Sequence, residues 1–396
     1  MSIKSSLNAT TLPFTREEFE SRRDRVVQLF DKFGVDVAVI SSPVNFYYLT
    51  GMHTGVTHYL FVLVLRANGE GLWVVRRTEM SNVHAAAPAS WVKDGVPVDD
   101  SEDPYLKLSE VLKPLITPKG SVGIEFASPQ MTADAYTKIQ SALPNVQVKN
   151  ISGLVESLRA IKSETELAYM RRAGNITGTA MQEALEAVLP GTRDSDLAAD
   201  LIARAIRLGS GPMSMGPFVT CGLRSFRAHS SWVHEPIRPG ELVNTEMATV
   251  VARYNTPVFR VSVMGKPSKE VEAFHEASLA GLHAGLQNIK PGMTSHEADS
   301  VVRNAITKVG YGDYFTVRAA YGIGVGFPPG WGENNVMNIR PGDERVLEPN
   351  MCFHLVPALY KADLGCVCCS MPIRISERGV EPLTHIAPKL FVLGEN

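Results

Sequence analysis

This chain of 396 residues is short of cysteine, of long apolar runs and of excess charge, and each shortage excludes something. Its five cysteines are Cys221, Cys352, Cys366, Cys368 and Cys369. An odd count crowded into one region does not make a disulfide framework, which suits a reducing compartment. Cys366 and Cys369 have CxxC spacing, but no second pair or nearby histidine accompanies them, so they read as buried thiols on a strand rather than a zinc site. The longest apolar run, Tyr59 to Leu65, falls far below the ~20 residues a membrane-spanning helix needs. Basic and acidic residues number 39 and 41, so no net field favours nucleic acid or an anionic membrane. The N-terminal MSIKSSLNATTLPFTREEFESRR has no apolar core segment and does not read as a secretory signal, so a cytoplasmic location is expected. No short repeat or low-complexity segment interrupts the chain.

What remains is an ordinary globular composition, 44% hydrophobic and 20% charged, in a chain long enough for two domains. Thr15–Phe33 has the pattern of an amphipathic helix closed by Gly34, and Val35–Ile40 is a strand-type run ended by Ser-Ser-Pro. Further strand-type runs at Tyr59–Leu65, Gly71–Val75, Ser121–Ile124 and Val146–Val148 alternate with helical patterns at Asp103–Leu112 and Thr132–Leu143. That alternation predicts an α/β domain over residues 1–155. Residues 156–396 hold longer helices, Glu164–Val188 (capped by Ser163), Asp194–Leu208, Lys269–Gln287 and Ser295–Val309. Strand patterns lie at Glu241–Val251, Val258–Val263, Met351–Leu355 and Pro372–Ile375. Together they predict an α+β chain whose second domain packs helices on a curved, mostly antiparallel sheet.

Leu158-Arg159-Ala160-Ile161-Lys162-Ser163, the Glu246–Arg260 stretch, Tyr321-Gly322-Ile323-Gly324 and Val356-Pro357-Ala358-Leu359-Tyr360 carry a specific likeness. With the two-domain order, they resemble the creatinase/aminopeptidase P superfamily over nearly the whole chain, implying a small N-terminal α/β domain and a C-terminal pita-bread domain. The metallopeptidases of that superfamily carry Asp, Asp, His, Glu and Glu as metal ligands. The matching places here hold Glu246, Pro257, Tyr321, Val356 and Ser370. Proline and valine side chains have no electron pair to donate, so a dinuclear metal site is not expected, nor any other cofactor. Gly326-Phe327-Pro328-Pro329-Gly330-Trp331-Gly332-Glu333 and Leu347–His354 are similar to the metal-independent ectoine hydrolase branch. Asn255 and Cys368-Cys369-Ser370-Met371 depart from that branch around the pocket, so its substrate is not transferable.

Proton chemistry then needs side chains that titrate. His229 matches by resemblance the catalytic histidine of creatinase, and an imidazole both takes and gives a proton near neutrality. Glu246 lies on a buried strand pattern and could orient an imidazole, activate water or attack carbon. The alternative is a structural pairing with Arg253, Arg260 or Arg318. Alternation places His354 on the face of Val356, hence towards the same cavity, unless it is a satisfied core histidine. Tyr321 and Trp331 border glycine-rich turns that lack a phosphate-binding frame and could hold a flat cation by stacking. Glu333 replaces a creatinase arginine, suiting a protonated substrate, and His58 replaces another. Arg260 and Ser370 complete the expected substrate-binding set. The resemblance also implies a homodimer, in which the Gly51–Tyr59 loop forms a pocket rim.

The leading expectation is a hydrolase of a non-peptide C–N bond in a small polar, ectoine-like or cyclic amidine compound, working by His229/Glu246/His354 acid–base chemistry. The alternatives are an Xaa-Pro-type metalloaminopeptidase, an inactive small-molecule-binding homologue, and a lyase acting on a small zwitterion.

Overall fold

The computed structural model describes residues 12–55, 59–117 and 120–394. The chain divides into two compact units, Met1–Arg159 and Ala160–Asn396, each with its own core. Among the described residues no helix is long and apolar enough to cross a membrane.

The first unit runs α1 (Arg16–Gln28), α2 (Phe30–Phe33), β1 (Val37–Ile40), α3 (Pro43–Thr50), β2 (Phe61–Arg66), β3 (Gly71–Arg76), α4 (Met80–Ala86), β4 (Gly95–Val98), α5 (Pro104–Leu112), β5 (Ser121–Ile124), α6 (Ala133–Ala142), β6 (Gln147–Asn150) and α7 (Leu154–Arg159). The helix expected over Thr15–Phe33 is interrupted at Leu29 and stops at Gly34, which takes the left-handed φ of 62° that a residue without Cβ adopts freely. The Ser-Ser-Pro break opens a helix instead, because Pro43 occupies the first turn, where no N–H is needed.

The strands form a mixed sheet in the order β4-β3-β2-β1-β5-β6, antiparallel only at β3-β2 and β2-β1. Its central strands β1, β2 and β5 read as near-continuous buried runs because both faces are covered there, whereas β6 at the edge is polar and exposed or half-buried. Val37, Val39, Val62 and Val64 pack with Leu108, Leu112 and Ile139 of α5 and α6. Elsewhere in the unit, Phe46 and Phe61 stack at 5.1 Å, and the Phe61 and Trp73 rings meet edge-on at the same separation.

The second unit runs α8 (Glu164–Glu186), α9 (Asp194–Arg207), β7 (Phe218–Cys221), β8 (Leu242–Val251), β9 (Tyr254–Met264), α10 (Lys269–Asn288), α11 (Ser295–Lys308), β10 (Ala320–Gly322), β11 (Asn338–Ile339), β12 (Cys352–Leu355), β13 (Leu359–Lys361), β14 (Gly365–Val367), β15 (Met371–Ser376), β16 (Gly379–Pro382) and β17 (Phe391–Leu393). Capping boxes start α8 at Ser163/Glu166 and α11 at Thr294/Glu297, each satisfying backbone donors that the first turn leaves over. The strands form a β17-β9-β8-β7 sheet, a β11-β10-β12-β15-β16 antiparallel sheet and a β13-β14 hairpin. Helices α8 and α9 pack on the first sheet, while α10 and α11 share a core with the second. Strand β9 contacts β12 and β15, so the two sheets meet along it. This is the two-domain creatinase-like architecture with a pita-bread second domain.

Register within β8–β9 positions the site. Ala252 and Arg253 both hold left-handed φ, 48° and 63°, and form the tight turn that starts β9 earlier than its apolar run predicts. The turn places Glu246 opposite Phe259 and Thr245 opposite Arg260. Directly opposed residues share a face and neighbours alternate, so Glu246 and Arg260 point to opposite sides of the sheet.

Candidate active site

A cavity of about 810 Å³ opens in the second unit, and Glu246 is the one carboxylate among its described lining residues. Aromatic side chains form much of its wall: Phe218, Tyr321, Trp331 and Tyr360. Phe218 faces Glu246 across the β7–β8 pairing, and its ring meets Trp331 at 5.4 Å. Arg318 supplies a cation to the same cavity, its guanidinium donating to Asn334 Oδ1 at 2.8 Å and lying 5.3 Å from the Tyr321 ring centre.

Behind the cavity wall runs a column of hydrogen-bonded side chains. Trp331 Nε1 donates to Tyr321 Oη at 2.9 Å, and Tyr321 Oη lies 3.4 Å from Glu246 Oε1. Tyr321 stands opposite His354 in the β10–β12 pairing, and its hydroxyl meets His354 Nδ1 at 2.8 Å. His354 Nε2 meets Ser370 Oγ at 2.6 Å, and Ser370 Oγ accepts the Phe259 N–H at 2.8 Å. Burial sets the charges. It pushes the Glu246 carboxyl up to about 7, against the opposing Tyr321 hydrogen bond. Since the Glu246 side chain keeps 18% exposure, water moderates that effect, whereas His354 is fully enclosed. Burial, with Arg260 nearby, pushes His354 down to about 3, so its imidazole is neutral. Burial also raises Tyr321 well above the ordinary phenol range.

The structure brings Glu246, Tyr321, Trp331 and His229 to one cavity and places His354, Ser370, Arg260 and Glu333 elsewhere. His229 is exposed on the rim, in the left-handed region at φ 54°, its ring 5.6 Å from that of Phe218. His354 does not reach the cavity; it is wholly buried behind Tyr321. Ser370 is also wholly buried, beyond His354, and cannot contact a substrate in the cavity. Arg260 is not a substrate ligand, because its guanidinium donates to the carbonyls of Phe259, Ser370, Ile386 and Ala387 on the far side of the sheet. Nor is it the partner of Glu246, and Arg253 instead donates to Pro212 O, Gly326 O and Ser214 Oγ. Glu333 does not offer its carboxylate to the cavity, since it forms a buried ion pair of 2.9 Å with Lys162 Nζ. His58 lies outside the described residues.

Sequence reasoning missed Phe218, Tyr360 and Arg318 as cavity residues and Lys162 as the Glu333 partner. Only Lys162 had a usable signal: a lysine within the apolar Leu158–Ser163 hinge needs an anion once buried.

The residues present do not fit a dinuclear metal centre. Of the five places that the sequence resemblance matches to metal ligands, only Glu246 offers a carboxylate; Pro257 and Val356 offer no side-chain donor, and the Tyr321 and Ser370 oxygens are engaged with His354. Among the described residues no group of three or more His, Cys, Asp or Glu side chains is arranged to hold a metal ion.

Comparison with known proteins agrees with the architecture. Residues 168–379 match metallopeptidase family M24, and residues 22–161 match the creatinase/prolidase N-terminal domain. The chain is similar to the ectoine hydrolase of Halomonas elongata, 33% identical over 401 residues that cover 96% of this chain and 99% of the relative. It is also similar to the Xaa-Pro dipeptidase of Lactobacillus delbrueckii subsp. lactis, 28% identical, with 93% and 98% covered. Among solved structures, a prolidase from Thermococcus sibiricus superposes with a TM-score of 0.85 at 24% identity, covering 95% of this chain and 99% of that one.

Proposed function

The chain belongs to metallopeptidase family M24 and carries its creatinase/prolidase N-terminal domain, and from that premise we propose that it hydrolyses a C–N bond in a small cyclic amidine or related zwitterion without a metal. One observation carries this reading: the single carboxylate among the described lining residues, raised to about 7, faces an aromatic-walled cavity, at a position that the sequence resemblance matches to a metal ligand. A protonated amidine brings its own electrophilic carbon, so water can add to it without a Lewis acid. The rings of Trp331, Tyr321 and Phe218 suit a flat cation, and the Glu246 charge complements it. Arg318, on the same cavity, suits a substrate carboxylate.

In this reading Glu246 takes a proton from the attacking water as its oxygen bonds to the amidinium carbon. His229, on the rim, delivers a proton to the nitrogen that leaves as the C–N bond breaks. As the carbonyl forms, the remaining hydroxyl hydrogen passes to His229 and restores it, the Glu246 proton passes to the departing amine, and the products are an amide and an ammonium group. The protein works as a homodimer in the same proposal, which light scattering checks.

The test is metal analysis of the purified protein, joined to NMR turnover assays on ectoine, 5-hydroxyectoine, creatine and an Xaa-Pro dipeptide, with and without chelator. Ring opening of an amidine by metal-free protein, unaffected by chelator, is the expected result. The Xaa-Pro dipeptidase relatives favour a second reading as a peptidase, and stoichiometric metal with chelator-sensitive dipeptide cleavage would establish that instead.

A further inference from the structure

The hydrogen-bond column behind the cavity has fixed donors at two points. The Phe259 N–H donates to Ser370 Oγ, and the Trp331 indole N–H donates to Tyr321 Oη. Neither group can accept, so neither can reverse. Between those oxygens sits His354, neutral and therefore carrying one N–H, with both ring nitrogens in short contacts.

Two arrangements are open to the ring. In one, Ser370 donates to Nε2, the Nδ1–H donates to Tyr321 Oη, and the phenolic hydrogen is left for Glu246 Oε1. In the other, the Nε2–H donates to Ser370, and the Tyr321 hydroxyl donates to Nδ1. The serine hydrogen must then reach Phe259 O at 3.4 Å, a poorer acceptor than Nε2 at 2.6 Å. Tyr321 also then turns only lone pairs towards Glu246 Oε1, 3.4 Å away. With Glu246 ionised, two electron-rich oxygens would face each other in a setting of low polarity, which is unfavourable. The first arrangement leaves no such conflict, and it accounts for every donor.

We propose that Ser370 and His354 are positioning residues for Glu246: Ser370 holds His354 as its Nδ1–H tautomer, and that N–H directs the Tyr321 hydroxyl hydrogen onto the Glu246 carboxylate. Oε1 is thereby occupied, while Oε2 has no hydrogen-bond partner among the described residues and is the oxygen left for a proton from the cavity. The inference rests on Glu246 being the working carboxylate of the proposed function. The other titratable groups around Glu246 are Tyr360, Cys366 and Cys368, which burial keeps neutral, together with Arg318 and His229 on the cavity. None of these explains a preference between the two nitrogens of His354.

The experiment is ¹⁵N NMR of histidine-labelled protein, with His354 assigned through a His354→Asn variant and no substrate present. Above pH 7, where Glu246 is ionised, His354 should be protonated at Nδ1 and bare at Nε2. In Ser370→Ala the ring should turn over to Nε2–H, and the carboxyl titration of Glu246, read by infrared difference spectroscopy, should rise by on the order of one pH unit. Ser370→Thr, which keeps the hydroxyl, should restore both. An Nε2–H ring in the unaltered protein overturns the proposal, even if Ser370→Ala fails to fold. So does a Ser370→Ala protein in which neither the tautomer nor the Glu246 titration moves. Because both readouts need no substrate, failure to turn over amidines would defeat the proposed function without moving either of them, so the two failures are distinguishable.

Discussion

Lys162 Nζ and Glu333 Oε2 meet at 2.9 Å with 3% and 1% of their side chains exposed. The pair ties the segment just before α8 to the loop that carries Trp331. The Glu333 N–H further anchors that loop by donating to Gly322 O at 2.6 Å, and the Glu333 carboxyl sits so close over Gly324 that a Cβ there would approach it to 2.7 Å. Removing one member of such a pair strands the other charge in a poorly solvated interior.

Lys162→Met should therefore cost about 3–5 kcal/mol of stability, and Glu333→Gln a similar amount. Replacing both together with apolar residues should cost less than the sum of the single changes. Chemical denaturation of the three variants checks this; strict additivity would show that the two charges do not act as a pair.

Glu246→Gln removes the carboxylate of the cavity while nearly keeping its shape. Turnover of the amidine that the protein opens should fall by about 10²–10⁴-fold, with an unchanged circular dichroism spectrum and melting temperature. Unchanged turnover would remove Glu246 from the mechanism.

In the first unit Glu125 accepts the N–H groups of Ser41 and Ser42 at 2.7 Å and Asn45 Nδ2 at 2.5 Å. Burial, followed by repulsion from Glu156, pushes its carboxyl up to about 7. Its folded form therefore holds a proton more tightly than an ordinary carboxyl with a value of 4.5. The contribution of Glu125 to stability is complete below pH 4.5 and is lost as pH rises towards 7. Glu125→Gln should remove that slope, which denaturation across this pH range measures; an identical slope in the variant would count against the assignment.

Glycine inside a helix ordinarily gives way to alanine with a gain of about 1 kcal/mol. Gly174, in the middle of α8, should do the opposite, because an added methyl would overlap the Leu383 carbonyl oxygen and press on Thr256. Gly174→Ala should lower stability by about 1–3 kcal/mol, and a higher melting temperature would show that the helix can shift.

Much of the architecture was legible without coordinates. Ser163/Glu166 and Thr294/Glu297 mark helix starts through bonds made within four residues, and Gly34 marks a stop through its own φ. The poverty of ligands at Glu246, Pro257, Tyr321, Val356 and Ser370 is likewise a property of residue type. Elements were missed where a local cue had two meanings: Pro43 reads as a break yet begins a helix, and Ala252-Arg253 carries no glycine yet turns the chain tightly.

The sequence by itself determined where the helices capped at Ser163 and Thr294 begin and that the usual metal donors are missing, because both follow from side chains and near neighbours. Only the tertiary structure decided which of the candidates share a cavity. Strand register turns side chains over with each residue, so Glu246 opposite Phe259 faces the cavity while Arg260, opposite Thr245, is spent on carbonyls behind the sheet. Glu333 was claimed by Lys162, 171 positions away, and Ser370, just before β15, by His354 of β12. Such partnerships depend on how strands and loops are brought together, which no local pattern specifies.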